Sequence, residues 1–329
     1  MNTISSMTMV ALKLSMLRGI GPATLRKLAR APGFHENDLD QLSQHVPPLK
    51  RAINETGAWE RASELAVEQV EAASDSGTKI LSALDPTYPT LLSATKDDPF
   101  IIYVRGSLAA EPLKAVAVIG TREPTPHGEA IADRIARFLT ERGWSVVSGL
   151  ALGCDAIAHR AAIEARGHTV AVLAHGLQTI APSTNRRLAE DILEAGGALV
   201  SEYPFGREPI PQQFVKRDLT QAGMAQGVVM IQSDLQGGSL HASRATLAYG
   251  RWLAVPHPTV FDRTQAAPKI QANLMLSEGS EAERMELLRC KVQDLERVVV
   301  LRSKEDYPRL VREEQVSDQG SAPRQVGLL

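Results

Sequence analysis

The stretch SVVSGLALGCDAIAHR, residues 145–160, decides the fold. It begins with an apolar run typical of a strand that is buried on both faces, and a glycine-containing turn follows. A helical pattern then begins near Asp155 and continues to Arg166. Strand, tight turn and helix in this order form the repeating unit of a parallel sheet covered by helices. The stretch therefore predicts one unit of such a sheet.

The same alternation extends in both directions from this stretch. Six apolar, β-rich runs occur, each followed by a helical pattern. They are AVAVIG (115–120), SVVSGLALG (145–153), TVAVLAHG (169–176), ALVSE (198–202), GVVMIQSD (227–234) and WLAVP (252–256). The pattern predicts an α/β fold with a doubly wound, mainly parallel sheet. Small polar residues at the strand ends predict a phosphate-binding crevice outside the carboxyl edge.

The chain divides into five predicted segments. The turn Gly19-Ile20-Gly21 indicates a helical hairpin near the N-terminus. Its glycines either reverse the chain or point amides at a DNA phosphate, and we favour the simple reversal. The segments are a small helical domain of helix-hairpin-helix type (1–76), a connecting segment (77–109), the doubly wound domain (110–279), a helical extension (280–312) and a tail predicted to be disordered (313–329).

Composition narrows the class of protein. The 329 residues carry a formal net charge of −2, so any anion-binding surface must be local. Cys154 and Cys290 are far apart in the sequence and lack the spacing of metal ligands. We therefore predict no disulfide and no metal site. No apolar run approaches the ~20 residues of a membrane span, and the N-terminus lacks a secretory signal. We expect a cytoplasmic protein that does not enter the membrane.

Two predicted turns carry residues suited to a phosphate. The first strand ends in Gly120, Thr121 and Arg122, which combine close backbone approach, a hydroxyl and a planar guanidinium fork. Gly238 and Ser239 begin a helix, where amides, a hydroxyl and the positive helix end coincide. The dinucleotide spacing Gly-x-Gly-x-x-Gly is missing, so we predict no cofactor.

The turn after the second strand carries two kinds of residue. Ser148 and Gly149 are expected to contact the anion, whereas Asp155 is placed to cap the following helix. His159 lies one helical turn after Asp155, so the two side chains could form a hydrogen bond. No nucleophile stands at matching spacing, so we favour a structural role for both and predict no catalytic residue.

A third candidate element is the sequence FVKR, residues 214–217. The ring of Phe214 could stack on a base while Lys216 and Arg217 meet the phosphates of a nucleic-acid strand. In the alternative, the ring packs inside the protein and the cations are solvated. The residues alone favour neither interpretation.

Together these motifs resemble the DNA-processing protein A family, also called DprA or Smf. The resemblance covers roughly residues 80–280, and its most specific part is the run 148–160. The matching segments are 88–92, 103–106, 118–122, 148–160, 185–186, 201–204, 214–217, 238–240 and 273–274. The N-terminal hairpin also resembles the small helical domain of that family.

The resemblance implies a modified Rossmann fold that binds single-stranded DNA without catalysis. It also implies a homodimer that hands the strand to a RecA-type recombinase. The family's pocket uses an arginine, a Ser-Gly turn, a basic pair and a Gly-Ser turn. By this resemblance the pocket residues here are Arg122, Ser148, Gly149, Lys216, Arg217, Gly238 and Ser239.

Two departures from the family bear on function. Members typically read Arg-Asn-Arg-Ile-Ile where this chain reads Arg217-Asp218-Leu219-Thr220. A carboxylate there repels phosphate, and each lost phosphate contact weakens binding and its salt dependence. Residues 264–272 replace a glycine-rich segment, and the tail does not match the winged-helix domain of many members. The changes leave the fold inference intact and weaken the inference of recombinase loading.

The leading hypothesis is a non-catalytic single-stranded-DNA-binding protein of recombination, natural transformation or DNA defence. The alternative is a nucleotide sensor or a nucleoside-phosphate hydrolase on the same fold. Hydrolysis is disfavoured because no proline precedes Gly237 and because Arg244 stands where an acid is needed. Nucleotide binding without turnover stays open. A third hypothesis, motivated by Asp218, is a structural protein whose pocket has decayed.

Overall fold

A nine-stranded sheet forms the centre of the protein, and the computed structural model describes residues 4–311 of the chain. The strands are β1 (Thr78–Ser82), β2 (Ile101–Gly106), β3 (Ala115–Ile119), β4 (Ser145–Ser148), β5 (Thr169–Leu173), β6 (Ala198–Ser201), β7 (Gly227–Met230), β8 (Trp252–Pro256) and β9 (Val298–Leu301). Their order is β1-β2-β6-β5-β4-β3-β7-β8-β9. Only β2 pairs antiparallel, with β1 and with β6. The predicted mainly parallel α/β fold is confirmed.

The central strands are apolar because helices cover both faces of the sheet. Every residue of β3 to β7 is buried. The chain places β3, β4, β5 and β6 side by side, then returns to the other side of β3 with β7 and β8. The sheet order therefore reverses between β3 and β7, where Val118 lies opposite Val229. Doubly wound sheets bind ligands beside such a reversal.

The helices of the doubly wound part pack on both faces. One face carries α7 (Pro126–Thr140), α8 (Cys154–Glu164) and α9 (Arg186–Glu194). The opposite face carries α6 (Thr90–Ser93), α10 (Pro211–Gly223), α11 (Ser239–Ala248), α13 (Gln271–Glu278) and α14 (Glu281–Leu288), and α12 (Val260–Thr264) follows β8. No helix within residues 4–311 is long and apolar enough to cross a membrane.

Five helices precede the sheet: α1 (Ser6–Ser15), α2 (Pro22–Leu28), α3 (Leu39–His45), α4 (Pro47–Ile53) and α5 (Ala58–Asp75). The turn between α1 and α2 contains Gly19, whose φ of 83° suits glycine. The apolar faces of these helices share a core with Ile80, Phe100 and Tyr103 of the β1–β2 region. This turn joins the two helices, which fits the favoured simple reversal, and contact of its amides with DNA stays an open alternative.

The segment 280–312, predicted to be helical, also contributes a strand. Ser280 and Glu283 form a capping box that begins α14, and a 3₁₀ turn follows over Val292–Arg297. The β-branched run Val298–Leu301 then forms β9, with Val300 opposite Val255. The sheet thus ends one strand later than the sequence pattern indicates. The predicted tail, 313–329, lies outside the described residues.

Candidate phosphate-binding cleft

A cleft of about 400 Å³ opens at the carboxyl ends of β3 and β7, beside the reversal in strand order. The turn after β3, the turn after β7 and one face of α10 form its walls. Seven of the ten predicted binding residues line it, namely Gly120, Thr121, Arg122, Phe214, Arg217, Gly238 and Ser239. This concavity is called the first cleft below. Gly149 lines an adjoining pocket, whereas Ser148 and Lys216 line neither concavity.

The turn after β3 is fixed by its neighbours and presents one free cation. The amide of Thr121 donates to the carbonyl of Gln232 (2.8 Å), and its own carbonyl accepts from Cys154 N (3.2 Å). A Cβ at Gly120 would collide with Cys154, so the close approach requires glycine. Arg122 is exposed on the wall of the first cleft and forms no ion pair within residues 4–311.

The Ser148-Gly149 turn is a structural element. Ser148 is fully buried, and its hydroxyl donates to the carbonyl of Val118 (2.7 Å). The amides of Gly149 and Ala151 donate to Asp155 Oδ2 at 3.2 and 3.3 Å. The hydroxyl and the Gly149 amide therefore have internal partners, so neither is presented to a ligand.

Asp155 and His159 both form structural contacts, but neither forms the contact that the sequence predicts. The N-cap of α8 is Gly153, so Asp155 lies inside the first turn and orders the preceding loop instead of capping the helix. The imidazole Nδ1 of His159 lies 2.7 Å from Thr169 Oγ1, so its partner is Thr169. Burial, reinforced by nearby arginines, lowers the pKa of His159 to about 3, and the ring is neutral at pH 7.

The floor of the first cleft contains buried charges. Arg217 is 6% exposed, and its Nε donates to Asp218 Oδ1 at 2.9 Å. Its Nη1 donates to the carbonyls of Gly149 and Val172. Arg217 is therefore already engaged with protein atoms beneath the ligand surface.

Burial sets the protonation of the floor carboxyls. The pKa of Asp218 is raised to about 6, mainly by burial; the charge of Arg217 and, more weakly, of Arg122 opposes the shift, and the charge of Asp155 adds to it. Burial also raises the pKa of Asp155, against the effect of Arg217. Asp218 therefore changes charge close to neutral pH.

The geometry of α10 separates the predicted FVKR residues. Phe214, Arg217, Asp218 and Gln221 line the first cleft because residues three and four apart share a helix face. The Phe214 ring centroid lies 5.8 Å from the guanidinium carbon of Arg217. Lys216 is exposed outside this lining; burial raises the pKa of Glu202, and the charge of Lys216 opposes that shift. The structure therefore brings Phe214, but not Lys216, to the first cleft.

The N-terminus of α11 faces the same cleft. Gly238 is its N-cap and Ser239 its first residue, whose hydroxyl donates to Ser233 Oγ at 2.9 Å. The amides of Gly238 and Ser239 donate to no acceptor within residues 4–311. Free amides at the positive end of a ten-residue helix suit a phosphate.

Sequence reasoning missed Lys269, which lines the first cleft from the 3₁₀ turn Pro268–Ile270. Its Nζ forms an ion pair with Asp234 Oδ2 at 2.8 Å. No motif marks this lysine, because only the fold brings residues 234 and 269 together. The one available signal in the sequence was a single cation within residues 264–272, the segment that departs from the family.

The concave surface is elongated. Beyond Arg122 and Phe214 it continues into a pocket of about 190 Å³, bounded by Leu152, Ala181 and Pro182. Asn185 orders this side, because its Nδ2 donates to the carbonyl of Leu150 at 2.8 Å. The surface has room for more than one phosphate group.

Comparisons with known proteins agree with this architecture. The family model described as DNA recombination-mediator protein A matches residues 79–285, well over half of the chain. Protein Smf of Escherichia coli is 40% identical over 172 residues, which are 52% of this chain and 46% of that protein. Protein Smf of Synechocystis is 31% identical over 244 residues, 72% of this chain and 61% of that protein. The matches thus span about half to three fifths of these relatives.

Two solved structures extend the comparison to three dimensions. DNA processing protein A from Streptococcus pneumoniae has a TM-score of 0.65 at 25% identity, over 82% of this chain and 97% of that one. The Helicobacter pylori protein, described for its single-stranded DNA binding mode, has a TM-score of 0.53 at 29% identity, over 61% and 88%. With its modified Rossmann sheet and its match over residues 79–285, the chain belongs to the DNA-processing protein A family.

Proposed function

We propose that the chain binds single-stranded DNA along the first cleft and catalyses no reaction there. Arg122 carries the proposal, because it is exposed, has no acidic partner within residues 4–311, and borders both the first cleft and its elongation. A planar guanidinium at that point can bind a phosphate oxygen pair. The amides at the start of α11 supply a second phosphate position.

Phe214 supports a nucleic-acid ligand over a free anion. Its ring is partly exposed, and it lines both the first cleft and its elongation together with Arg122. Stacking on an aromatic ring accepts any base, which suits binding without sequence preference. The single-stranded DNA binding of the Helicobacter pylori relative supports the same assignment. Delivery to a RecA-type recombinase, homodimer formation and a cytoplasmic location belong to the same proposal through the family.

Three of the four carboxylates that line the first cleft support binding without catalysis; the fourth, Glu123, is exposed. Asp155 accepts from loop amides, Asp218 pairs with Arg217, and Asp234 pairs with Lys269. A general base needs a carboxylate within reach of a proton on the substrate. These three carboxylates are instead occupied by protein donors.

Salt-dependent binding tests the proposal. Labelled oligo-dT is titrated into the wild type, into Arg122→Ala and into a control, Lys79→Ala, which removes an exposed cation from β1 at the far edge of the sheet. We expect preference for single-stranded over duplex DNA. For Arg122→Ala, the slope of log K against log salt should fall by about 0.7, the value for one phosphate contact on a single strand. Lys79→Ala should behave like the wild type.

Other outcomes replace the proposal with its alternatives. Tight binding of a mononucleotide without oligonucleotide binding identifies a nucleotide sensor. Release of phosphate or base from a nucleotide identifies a hydrolase. Binding of neither ligand leaves a structural protein with a decayed pocket.

A further inference from the structure

A second cleft, of about 440 Å³, opens at the carboxyl ends of β8 and β9. Its walls come from α7, from residues 256–263 after β8 and from residues 301–307 after β9. It shares no lining residue with the first cleft. We call it the edge cleft, because β9 is the last strand of the sheet.

The edge cleft is rich in cations. Arg134, Arg263, Arg302 and Lys304 line it, against one lining carboxylate, Glu305. Arg263 pairs with Glu278 at 2.8 Å, whereas Arg134, Arg302 and Lys304 form no ion pair within residues 4–311. Like charges gathered in a concavity repel one another and focus a positive potential. An anionic ligand would offset that repulsion.

The edge cleft also has an apolar wall that a base or sugar could contact. Tyr307 is half-buried, with its ring edge-on to Phe138 at 5.5 Å, and Ile131 lies beside it on the lining. Val260 is 76% exposed at the same wall. Cations next to an apolar wall fit a phosphate joined to a base better than an inorganic anion.

Within residues 4–311, the first cleft carries no surplus of positive charge. Three cations line it, Arg122, Arg217 and Lys269, against the four carboxylates of Glu123, Asp155, Asp218 and Asp234. Affinity for nucleic acid comes mainly from phosphate neutralisation. A strand in the first cleft therefore gains from a basic surface nearby.

The two clefts open at the same edge of the sheet. The segment between β8 and α13 borders both, with Lys269 on the first cleft and Val260 on the edge cleft. We propose that the edge cleft is a second phosphate-binding site, which holds a nucleotide of the strand that occupies the first cleft. The identity of the strand rests on the proposed function, whereas the phosphate chemistry of the edge cleft does not.

The test removes two cations from the edge cleft. Arg302→Ala/Lys304→Ala is compared with Lys50→Ala/Lys79→Ala, which removes two exposed cations from α4 and β1, outside the lining of both clefts. Labelled oligo-dT of about 4 and about 16 nucleotides is titrated across a salt series. For the long strand, we expect the salt slope of the edge variant to fall by about 1.4, or 0.7 for each lost contact. The control pair should keep the wild-type slope and the wild-type gain in affinity with length.

The outcomes separate the two proposals. If the wild type binds the long strand and the edge variant keeps its slope, the edge cleft is not a binding site. If the wild type binds no oligonucleotide, the proposed function fails, and thymidine monophosphate, followed through the NMR signal of His127, then tests the edge cleft alone. Shifts that are lost in the edge variant support the phosphate site; their absence in the wild type overturns it.

Discussion

The first cleft and the edge cleft lie at the same edge of the sheet, and they differ in the features that suit each to a phosphate. The first cleft has the family motifs, the free amides of α11 and the Phe214 ring, but its carboxylates outnumber its cations. The edge cleft has no motif, yet within residues 4–311 its lining has four cations, one of them paired with Glu278, and one carboxylate. Under the two proposals, the recognisable motifs lie where the backbone is shaped for a phosphate, whereas the surplus positive charge lies where no motif is found.

Removing a cation should have very different effects on folding in the two clefts. In Arg217→Ala, Asp155 and Asp218 lose their buried counter-charge. Breaking a buried charge pair costs about 3–5 kcal/mol of unfolding free energy. The exposed Arg302 of the edge cleft has no acidic partner within residues 4–311, so Arg302→Ala should change stability by less than about 0.5 kcal/mol. Urea unfolding of both variants measures the contrast, and equal losses would contradict it.

Asp218→Asn should bring the first cleft closer to the edge cleft in charge. Because the pKa of Asp218 is about 6, the wild-type carboxyl is charged at pH 8 and mostly neutral at pH 5. Wild-type affinity for oligo-dT should therefore fall as the pH rises through 6, by about 1 kcal/mol or roughly fivefold. The amide variant should bind at pH 8 as the wild type does at pH 5, with little pH dependence.

The same substitution has a second, independent readout in stability. The folded-state pKa of Asp218 is raised above its unfolded value of 3.8, so the folded state holds the proton more tightly. This contribution to stability is complete below pH 3.8 and is lost as the pH rises to 6. In Asp218→Asn the unfolding free energy should decline less over that window. If Asp218→Asn leaves the pH profiles of both binding and unfolding unchanged, the pKa of Asp218 does not lie near 6.

The sequence predicted the fold well because its signals are local. The six central strands were recognised from apolar runs, whose buried faces leave little choice of residue. β9 was missed because its four residues, 298–301, follow a charged helical pattern that dominated the interpretation. Its length does not explain the difference, because β4, β6 and β7 also have four residues; β9 is only half-buried in three of its four residues, and its place follows from its pairing with β8.

The candidate site was predictable in part. Arg122, Gly238 and Ser239 reach the first cleft because strand ends and helix starts fix their positions. Burial, which depends on the whole fold, instead decided the roles of Ser148 and Arg217. The edge cleft was missed because its cations come from α7, α12 and the chain after β9, which are far apart in sequence.

The smallest predicted effects concern Ser148 and Ser239, both of which the sequence predicts to contact the ligand. Ser148→Ala removes a buried hydrogen bond to the carbonyl of Val118 and should lower the unfolding free energy by about 1 kcal/mol, with unchanged DNA affinity of the folded protein. Ser239→Ala removes a hydroxyl from the cleft wall and should weaken oligo-dT binding by about twofold to fivefold, with little loss of stability. Unfolding curves and titrations of both variants separate the two roles. A loss of DNA affinity in folded Ser148→Ala would show that Ser148 contacts the ligand. Its complete burial argues against such a contact.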